Sequence, residues 1–190
     1  MQRKGWFIIP GVQDGDRTVE EQMIAVRPAL AEAKGKTVLD LGCAEGLIGR
    51  EFARAGALSV LGVDSVGGHL QVAQEQCKGL PMKFRQADFQ VLALAAPGNG
   101  NQYDIVLALG VVHKMKHPGD GVHFVAKSAR SLVLFRAKGG VTDGIVRSKH
   151  FGANWCNSYE IMRSHGFELE KVVNGAREET VEYWRRQPAA

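Results

Sequence analysis

Apolar and polar residues alternate in blocks along this 190-residue chain. Short apolar runs recur at Thr37–Leu41, Ser59–Asp64, Met82–Gln86, Tyr103–Ala108 and Leu132–Arg136, each bounded by turn formers, and they predict strands. Between them Gly46–Ala55, Gly67–Cys77, a short piece around Val91–Ala95 and Gly121–Ala129 carry helical spacing. Strands that alternate with helices build a parallel sheet covered on both faces. Right-handed crossovers place the carboxyl ends of such strands along one rim, where ligands bind. Asp40, Asp64, Asp88 and the loop beyond Ala108 fall on that rim.

The two ends read differently. Gln13-Asp14-Gly15-Asp16-Arg17 is a polar turn, and Thr18 with Glu21 matches a capping box. Met23, Val26, Leu30 and Ala33 then predict a first helix running to near Gly35. Near the C-terminus, Asn157–His165 reads as a helix stopped by Gly166. Phe167–Val173 and Thr180–Arg185 follow as strands around an Asn174-Gly175 turn, which predicts a closing antiparallel hairpin. The expected fold is α/β: a single doubly wound, mostly parallel seven-stranded sheet with helices on both faces and a C-terminal antiparallel hairpin. Residues 1–35 form an N-terminal segment and helix, and 36–190 form the ligand-binding domain.

Composition narrows the class. Hydrophobic residues make up 45% and charged residues 23%, ordinary values for a globular domain with a substantial core. No apolar stretch approaches the ~20 residues that cross a bilayer, so no membrane role is expected. The run Trp6-Phe7-Ile8-Ile9 is too short for a signal peptide, and a cytoplasmic location is expected. Cys43, Cys77 and Cys156 are too sparse for a disulfide framework or a cysteine zinc site. Cys43 sits where the turn needs a small residue, which favours packing over nucleophilic chemistry. A net charge of +4 is compatible with an anionic partner without requiring one.

The chemistry concentrates in Val38-Leu39-Asp40-Leu41-Gly42-Cys43-Ala44-Glu45-Gly46-Leu47-Ile48-Gly49. An apolar strand ends in an acid, turns through small residues and opens onto a helix, so backbone can approach a ligand closely. A second acid, Asp64, ends the next apolar run, and a third stands in Ala87-Asp88-Phe89. Paired acids on neighbouring strand ends suit a nucleoside-containing cofactor that carries hydroxyl and ammonium donors. A dinucleotide fingerprint would require Gly-x-Gly-x-x-Gly. Here Gly42, Gly46 and Gly49 are spaced four and three apart, which weighs against a nicotinamide dehydrogenase.

This order of features resembles the class I S-adenosylmethionine-dependent methyltransferase family, from about Thr37 to the end of the chain. The family's first motif is acid-x-Gly-x-Gly-x-Gly; Asp40, Gly42 and Gly46 match it, and Ala44 replaces the middle glycine. Alanine fits that turn provided its φ stays negative. The resemblance implies S-adenosyl-L-methionine as cofactor. It implies that Asp40, Gly42, Cys43, Ala44 and Gly46 cradle the methionine portion, and that Asp64, followed by Ser65, accepts the ribose hydroxyls. Asp88 would receive the adenine amino group, and Val66 and Phe89 would contact the adenine faces. A sulfonium cation also favours a site rich in carboxylates and carbonyl dipoles.

The fourth strand runs into Ala108-Leu109-Gly110-Val111-Val112-His113-Lys114. In the family this loop lies beside the methyl group, which places Leu109 against the cofactor. Methyltransferases acting on base amines or glutamine amides commonly carry Asn/Asp-Pro-Pro-Tyr/Phe here; its absence leaves oxygen, carbon or small-amine acceptors. His113 is the candidate catalytic residue, since neutral imidazole can take a proton from a hydroxyl near pH 7. Alignment alone could also carry the transfer. His113 and His117 stand four apart, but Pro118 interrupts the segment and a third ligand is lacking, so no metal is expected. His69, His123 and His165 read as surface or packing residues.

The acceptor's side of the sheet should be Lys138–Trp155, where Arg147, Lys149, His150, Phe151 and Trp155 mix positive charge with aromatic faces. Such a mixture can bind phosphates and stack on bases, or can be a solvated loop with two anchors. Trp6 and Phe7 would contribute to a lid by family analogy. The short N-terminal segment and one loop leave an open site, suited to a macromolecular acceptor such as RNA or protein, or to a small molecule completed by a protein partner. The expected function is transfer of a methyl group to a small-molecule or RNA acceptor; a non-catalytic, cofactor-binding subunit is the alternative.

Overall fold

The computed structural model of the protein describes residues 4–95, 102–136 and 144–188. Seven strands make one sheet: β1 (Thr37–Leu41), β2 (Ser59–Asp64), β3 (Met82–Gln86), β4 (Tyr103–Leu109), β5 (Ala129–Arg136), β8 (Phe167–Asn174) and β9 (Thr180–Arg186), in the order β3-β2-β1-β4-β5-β9-β8. The first five run parallel, and β9 pairs antiparallel with both β5 and β8. This is the expected mostly parallel sheet closed by a C-terminal hairpin. The strand order reverses between β1 and β4, which opens a crevice beyond their carboxyl ends.

Alternation along the strands gives the sheet two cores. Val38, Ile105, Leu107, Leu132, Leu134 and Tyr183 face one side, where they meet Phe52, Ala53 and residues of the N-terminal segment. Their neighbours Leu39, Val106, Ala108, Val133, Phe135 and Trp184 face the other, against Val122, Val125 and Met162. Side chains with a period of two and apolar residues on both faces require helices on both faces. The helices are α1 (Val19–Met23), α2 (Leu47–Arg54), α3 (Gly67–Gln76), α4 (Phe89–Ala95), α5 (Pro118–Ser128) and α6 (Ser158–Ser164). Helix α2 buries Leu47, Ile48, Phe52 and Ala53 as one stripe.

Three expectations need correction. The first helix does not continue to Gly35: α1 closes after one turn, and a 3-10 helix over Arg27–Glu32 replaces the rest. The capping box is present as read, with the Glu21 N–H donating to Thr18 Oγ1. Pro28 is the physical reason for the break, because it lacks an N–H and crowds the preceding turn. Pro28 occupies the first turn of the 3-10 helix, where that missing donor costs nothing. Likewise Pro118 does not merely interrupt its segment but opens α5, three residues ahead of the expected start. The hairpin connection is not a tight Asn-Gly turn: Asn174 stays in β8, a 3-10 turn spans Ala176–Glu178, and Arg177 takes the positive φ of 52°.

The loop expected on the acceptor side contains two further short strands, β6 (Ile145–Arg147) and β7 (Trp155–Asn157), paired antiparallel. Lys138–Asp143 lie outside the described residues. No helix among the described residues is long and apolar enough to cross a membrane.

Tyr183 ties the N-terminal segment to the sheet. Its hydroxyl donates to the carbonyl oxygens of Ala25 at 2.7 Å and Val26 at 3.3 Å, in a region closed to solvent. Tyr183→Phe leaves the Ala25 carbonyl buried without that donor and should cost about 1–2 kcal/mol. A denaturant titration checks this; an unchanged midpoint would mean that apolar packing alone holds residues 25–26.

Candidate functional site

A cavity of about 830 Å³ opens beyond the carboxyl ends of the parallel strands. Its geometry begins at the β1–α2 turn. Gly42, Ala44 and Gly46 alternate through positive φ values of 70°, 49° and 73°. Ala44 thus takes the left-handed conformation and does not meet the condition of a negative φ, at a cost on the order of 1–2 kcal/mol. An acid offsets this cost: the Ala44 N–H donates to Asp64 Oδ2 at 2.9 Å. The other oxygen, Oδ1, accepts the Val66 N–H at 2.9 Å. Asp64 therefore binds the turn after β1 to the turn after β2, and its side chain lies at the cavity edge with 12% exposure.

Among the residues singled out from the sequence, Gly42, Ala44, Asp64, Ser65, Val66, Asp88, Phe89, Leu109 and His113 all line the cavity. Asp88 opens α4, where Oδ1 accepts the Gln90 N–H at 2.8 Å. His113 is buried within a 3-10 turn over Val112–Lys114. His117 lies beyond that turn as the residue before α5, so the two imidazoles do not share a helical face.

Asp40, Cys43 and Gly46 do not line the cavity; they form the layer beneath it. Burial pushes the Cys43 thiol far above its ordinary value, which keeps it protonated and un-nucleophilic. Asp40 points towards the start of α2. Burial raises its pKa to about 7, the Gly49 N–H works in the opposite direction, and the charge on Asp64 adds to the rise.

Glu45 is the residue the sequence reading missed. It is fully buried, and Oε1 accepts the Trp6 N–H at 3.0 Å and Gln13 Nε2 at 2.9 Å. Oε2 accepts the Phe7 N–H at 3.1 Å. One carboxylate in the motif turn thereby fastens the N-terminal loop over the cavity, and a Cβ at Gly5 would run into Gln13 Nε2. Trp6, Asp16 and Arg17 of that loop line the cavity. His69, read as a surface or packing residue, also lines it, with Nδ1 3.6 Å from Asp64 and Nε2 3.8 Å from Glu45.

The end formed by β4, β5 and the β8–β9 connection carries different chemistry. Arg136, at the tip of β5, donates to Glu179 at 2.9 Å and to Gln22 at 2.6 Å. Arg17 reaches the other oxygen of Glu179 at 2.9 Å. Lys114 and Lys149 join this wall, and Lys114 Nζ stands 5.2 Å from the centre of the Trp6 ring. Of the loop residues expected to meet an acceptor, Lys149 reaches the cavity, while Phe151 and Trp155 are exposed outside it. The cavity has an acidic end and a basic end.

Comparison with known proteins agrees with this geometry. Residues 38–133 match the family model described as a methyltransferase domain. The chain is 38% identical over 93 residues to the ubiquinone biosynthesis O-methyltransferase of Azorhizobium caulinodans, covering 48% of this chain and 35% of that protein. It is 35% identical over 125 residues to the enzyme of the same name from Rhizobium etli, covering 55% and 48%. The chain thus spans less than half the length of these curated relatives. Among solved structures, magnesium protoporphyrin IX methyltransferase from Synechocystis with bound S-adenosylmethionine superposes with a TM-score of 0.65 at 19% identity, covering 87% of this chain and 77% of that one. An S-adenosylmethionine-dependent methyltransferase from Mesorhizobium loti gives 0.63 at 17%, covering 85% and 98%. The chain belongs to the class I S-adenosylmethionine-dependent methyltransferase family.

Asp40 makes the site's foundation sensitive to pH. Its folded pKa of about 7 lies above the ordinary 3.8, so between these values the native state holds a proton that the unfolded chain has released. The stability it contributes is full at low pH and declines as pH rises towards neutrality. Asp40→Asn removes that titration, so the variant's thermal midpoint should rise relative to the parent between about pH 5 and pH 8. Circular-dichroism melting at both values tests this; a pH-independent difference would exclude Asp40 as the titrating group.

Proposed function

We propose that the protein transfers a methyl group from S-adenosyl-L-methionine to a small-molecule acceptor. The observation that carries this reading is the arrangement around Asp64. A carboxylate has about four lone-pair sites, and two are used by the Ala44 and Val66 N–H groups. Asp64 lines a cavity whose nearby wall includes Ser65, Val66, His69, Asp88 and Phe89, with His69 Nδ1 3.6 Å from its Oδ1. The two carboxylates at that end fit an adenosine: vicinal hydroxyls at Asp64, the exocyclic amine at Asp88, and a flat base between Val66 and Phe89. The turn at Gly42 and Ala44 would hold the methionyl end, with Asp40, Cys43 and Gly46 supporting it from below.

When bound, the cofactor supplies an electrophilic methyl group on a sulfonium, whose bonding pair returns to sulfur as the new bond forms. The chain's own work is alignment, exclusion of water and proton removal. Leu109 and the 3-10 turn carrying His113 stand at the boundary between the cavity's acidic and basic ends. His113 would take the proton of a hydroxyl acceptor as its oxygen is alkylated. The N-terminal loop held by Glu45 covers the site, so a free small molecule fits this reading better than a large substrate. The O-methyltransferase names of the curated relatives support an oxygen acceptor.

Two measurements test the reading. Calorimetry with S-adenosylhomocysteine should show micromolar to submillimolar binding, and Asp64→Ala should weaken it roughly tenfold or more through loss of charged hydrogen bonds. Unchanged affinity would remove the ribose assignment. With isotope-labelled S-adenosylmethionine and a cell-extract metabolite pool, His113→Asn should lower methyl incorporation by about 10²-fold or more while cofactor affinity stays within a few-fold. Undiminished incorporation would leave alignment as the whole of catalysis.

A further inference from the structure

The basic end of the cavity holds more positive charge than the protein neutralises. Arg17, Lys114, Arg136 and Lys149 line it, and Glu179, shared by the two arginines, is the acid that pairs with any of them. The other cavity acid at this end, Asp16, pairs with Lys4, and Arg177 pairs with Glu21. Among the described residues, no acid forms an ion pair with the ammonium of Lys114 or Lys149. Arg17 keeps a buried Nη1 without a hydrogen-bond partner among those residues.

These groups repel one another within a partly enclosed space. Lys114 and Lys149 are both exposed, yet the protein around Lys114 lowers its pKa below the ordinary lysine value. Asp64 opposes that shift, while Lys149 and Arg136 reinforce it. The methyl donor cannot balance this wall. It carries a sulfonium and an ammonium against one carboxylate, so it adds positive charge. On the methyltransferase reading, its carboxylate lies with the methionyl end at the β1–α2 turn. Lys114 Nζ stands 5.2 Å from the centre of the Trp6 ring, and the Lys149 backbone runs beside His113, whose carbonyl oxygen accepts the Lys149 backbone N–H at 2.6 Å.

We propose that the acceptor is a small anion, whose carboxylate or phosphate is gripped by Lys114 and Lys149 with Arg136 behind them, so that its nucleophile is presented beside His113. This rests on the methyltransferase reading and narrows it to a substrate class. Charge-assisted contacts of this kind are short and orienting, and an anion bound here relieves repulsion already built into the wall.

Calorimetry on the full chain separates the outcomes. S-adenosylhomocysteine is titrated first, and failure to bind would overturn the methyltransferase reading together with this proposal. With that site saturated, benzoate, phenyl phosphate and neutral benzyl alcohol serve as probes. Benzoate or phenyl phosphate should bind roughly tenfold or more tightly than benzyl alcohol, and the stronger of the two identifies the anion. The double variant Lys114→Gln/Lys149→Gln, checked for folding by circular dichroism, should lose that preference while S-adenosylhomocysteine affinity changes less than about threefold. Equal binding of charged and neutral probes, with cofactor bound, would overturn the anionic acceptor alone. An equal loss of cofactor affinity in the double variant would do so as well, by assigning the lysines to the donor's carboxylate. A short single-stranded RNA that binds more tightly than either probe and loses its affinity in the same variant would replace the small anion with a nucleic acid.

Discussion

The buried carboxylate of Glu45 is the contact on which the enclosure of the site depends. An ionised acid in a solvent-free position is tolerated only when donors surround it. Here the Trp6 and Phe7 backbone N–H groups and the Gln13 amide supply them. The charge cannot be relieved by water, so the N-terminal loop is the counterpart of the motif turn rather than an appendage. The loop in turn folds on itself, with Ile8 N–H bonded to the Arg17 carbonyl and Gly5 N–H to that of Asp14. Placing Glu45 therefore places Trp6 and Arg17 at the cavity, although they come from a part of the chain outside the parallel sheet.

From that enclosure follows a cavity polarised along the strand order. The ends of β2 and β3 bring Asp64 and the loop carrying Asp88. Beyond β4 and β5, the structure brings Lys114, Lys149 and Arg136. The switch between β1 and β4 is thus also a change of electrostatic sign. A cationic electrophile drawn to one end and an anion drawn to the other would meet at the loop between them, where Leu109 and His113 stand. Fixed charges of this kind act without reorganisation at the moment of reaction, which makes them more effective than mobile solvent dipoles.

Much of this was legible in the sequence. Strands β1 and β2 agree with their apolar runs, because strands covered on both faces are largely apolar and end at polar residues, whereas the edge strand β3, Met82-Lys83-Phe84-Arg85-Gln86, alternates apolar and polar positions. Asp64 was readable for the same reason, as the polar residue that ends such a run; Asp88 follows a mixed strand and was marked by its place on the rim and by the family resemblance of Ala87-Asp88-Phe89. Arg136 carries the same signal, ending Leu132-Val133-Leu134-Phe135, but a basic residue there belongs to no motif that names a ligand. Glu45 gave no local signal. Its partners lie 32 to 39 residues earlier, and nothing in the periodicity of residues 4–17 announces a loop that closes on a buried acid. Pro28 was visible and should have ended the first helix, since its missing N–H outweighs the favourable spacing of Leu30 and Ala33.

Ala44 shows how the parts depend on one another. A glycine would enter the left-handed region without strain, whereas alanine must be held there. The Asp64 carboxylate does this through the Ala44 N–H while its other oxygen orders the residues leading into α3. One acid thus fixes two turns on adjacent strands and remains only partly satisfied, at the place where a pair of hydroxyl donors would complete its coordination. A carboxylate anchored by backbone on two sides cannot turn to meet a ligand, so its open lone pairs keep one direction. The unusual alanine and Asp64 are therefore a single arrangement: the bond that holds the strained residue also fixes the direction of the carboxylate at the cavity edge.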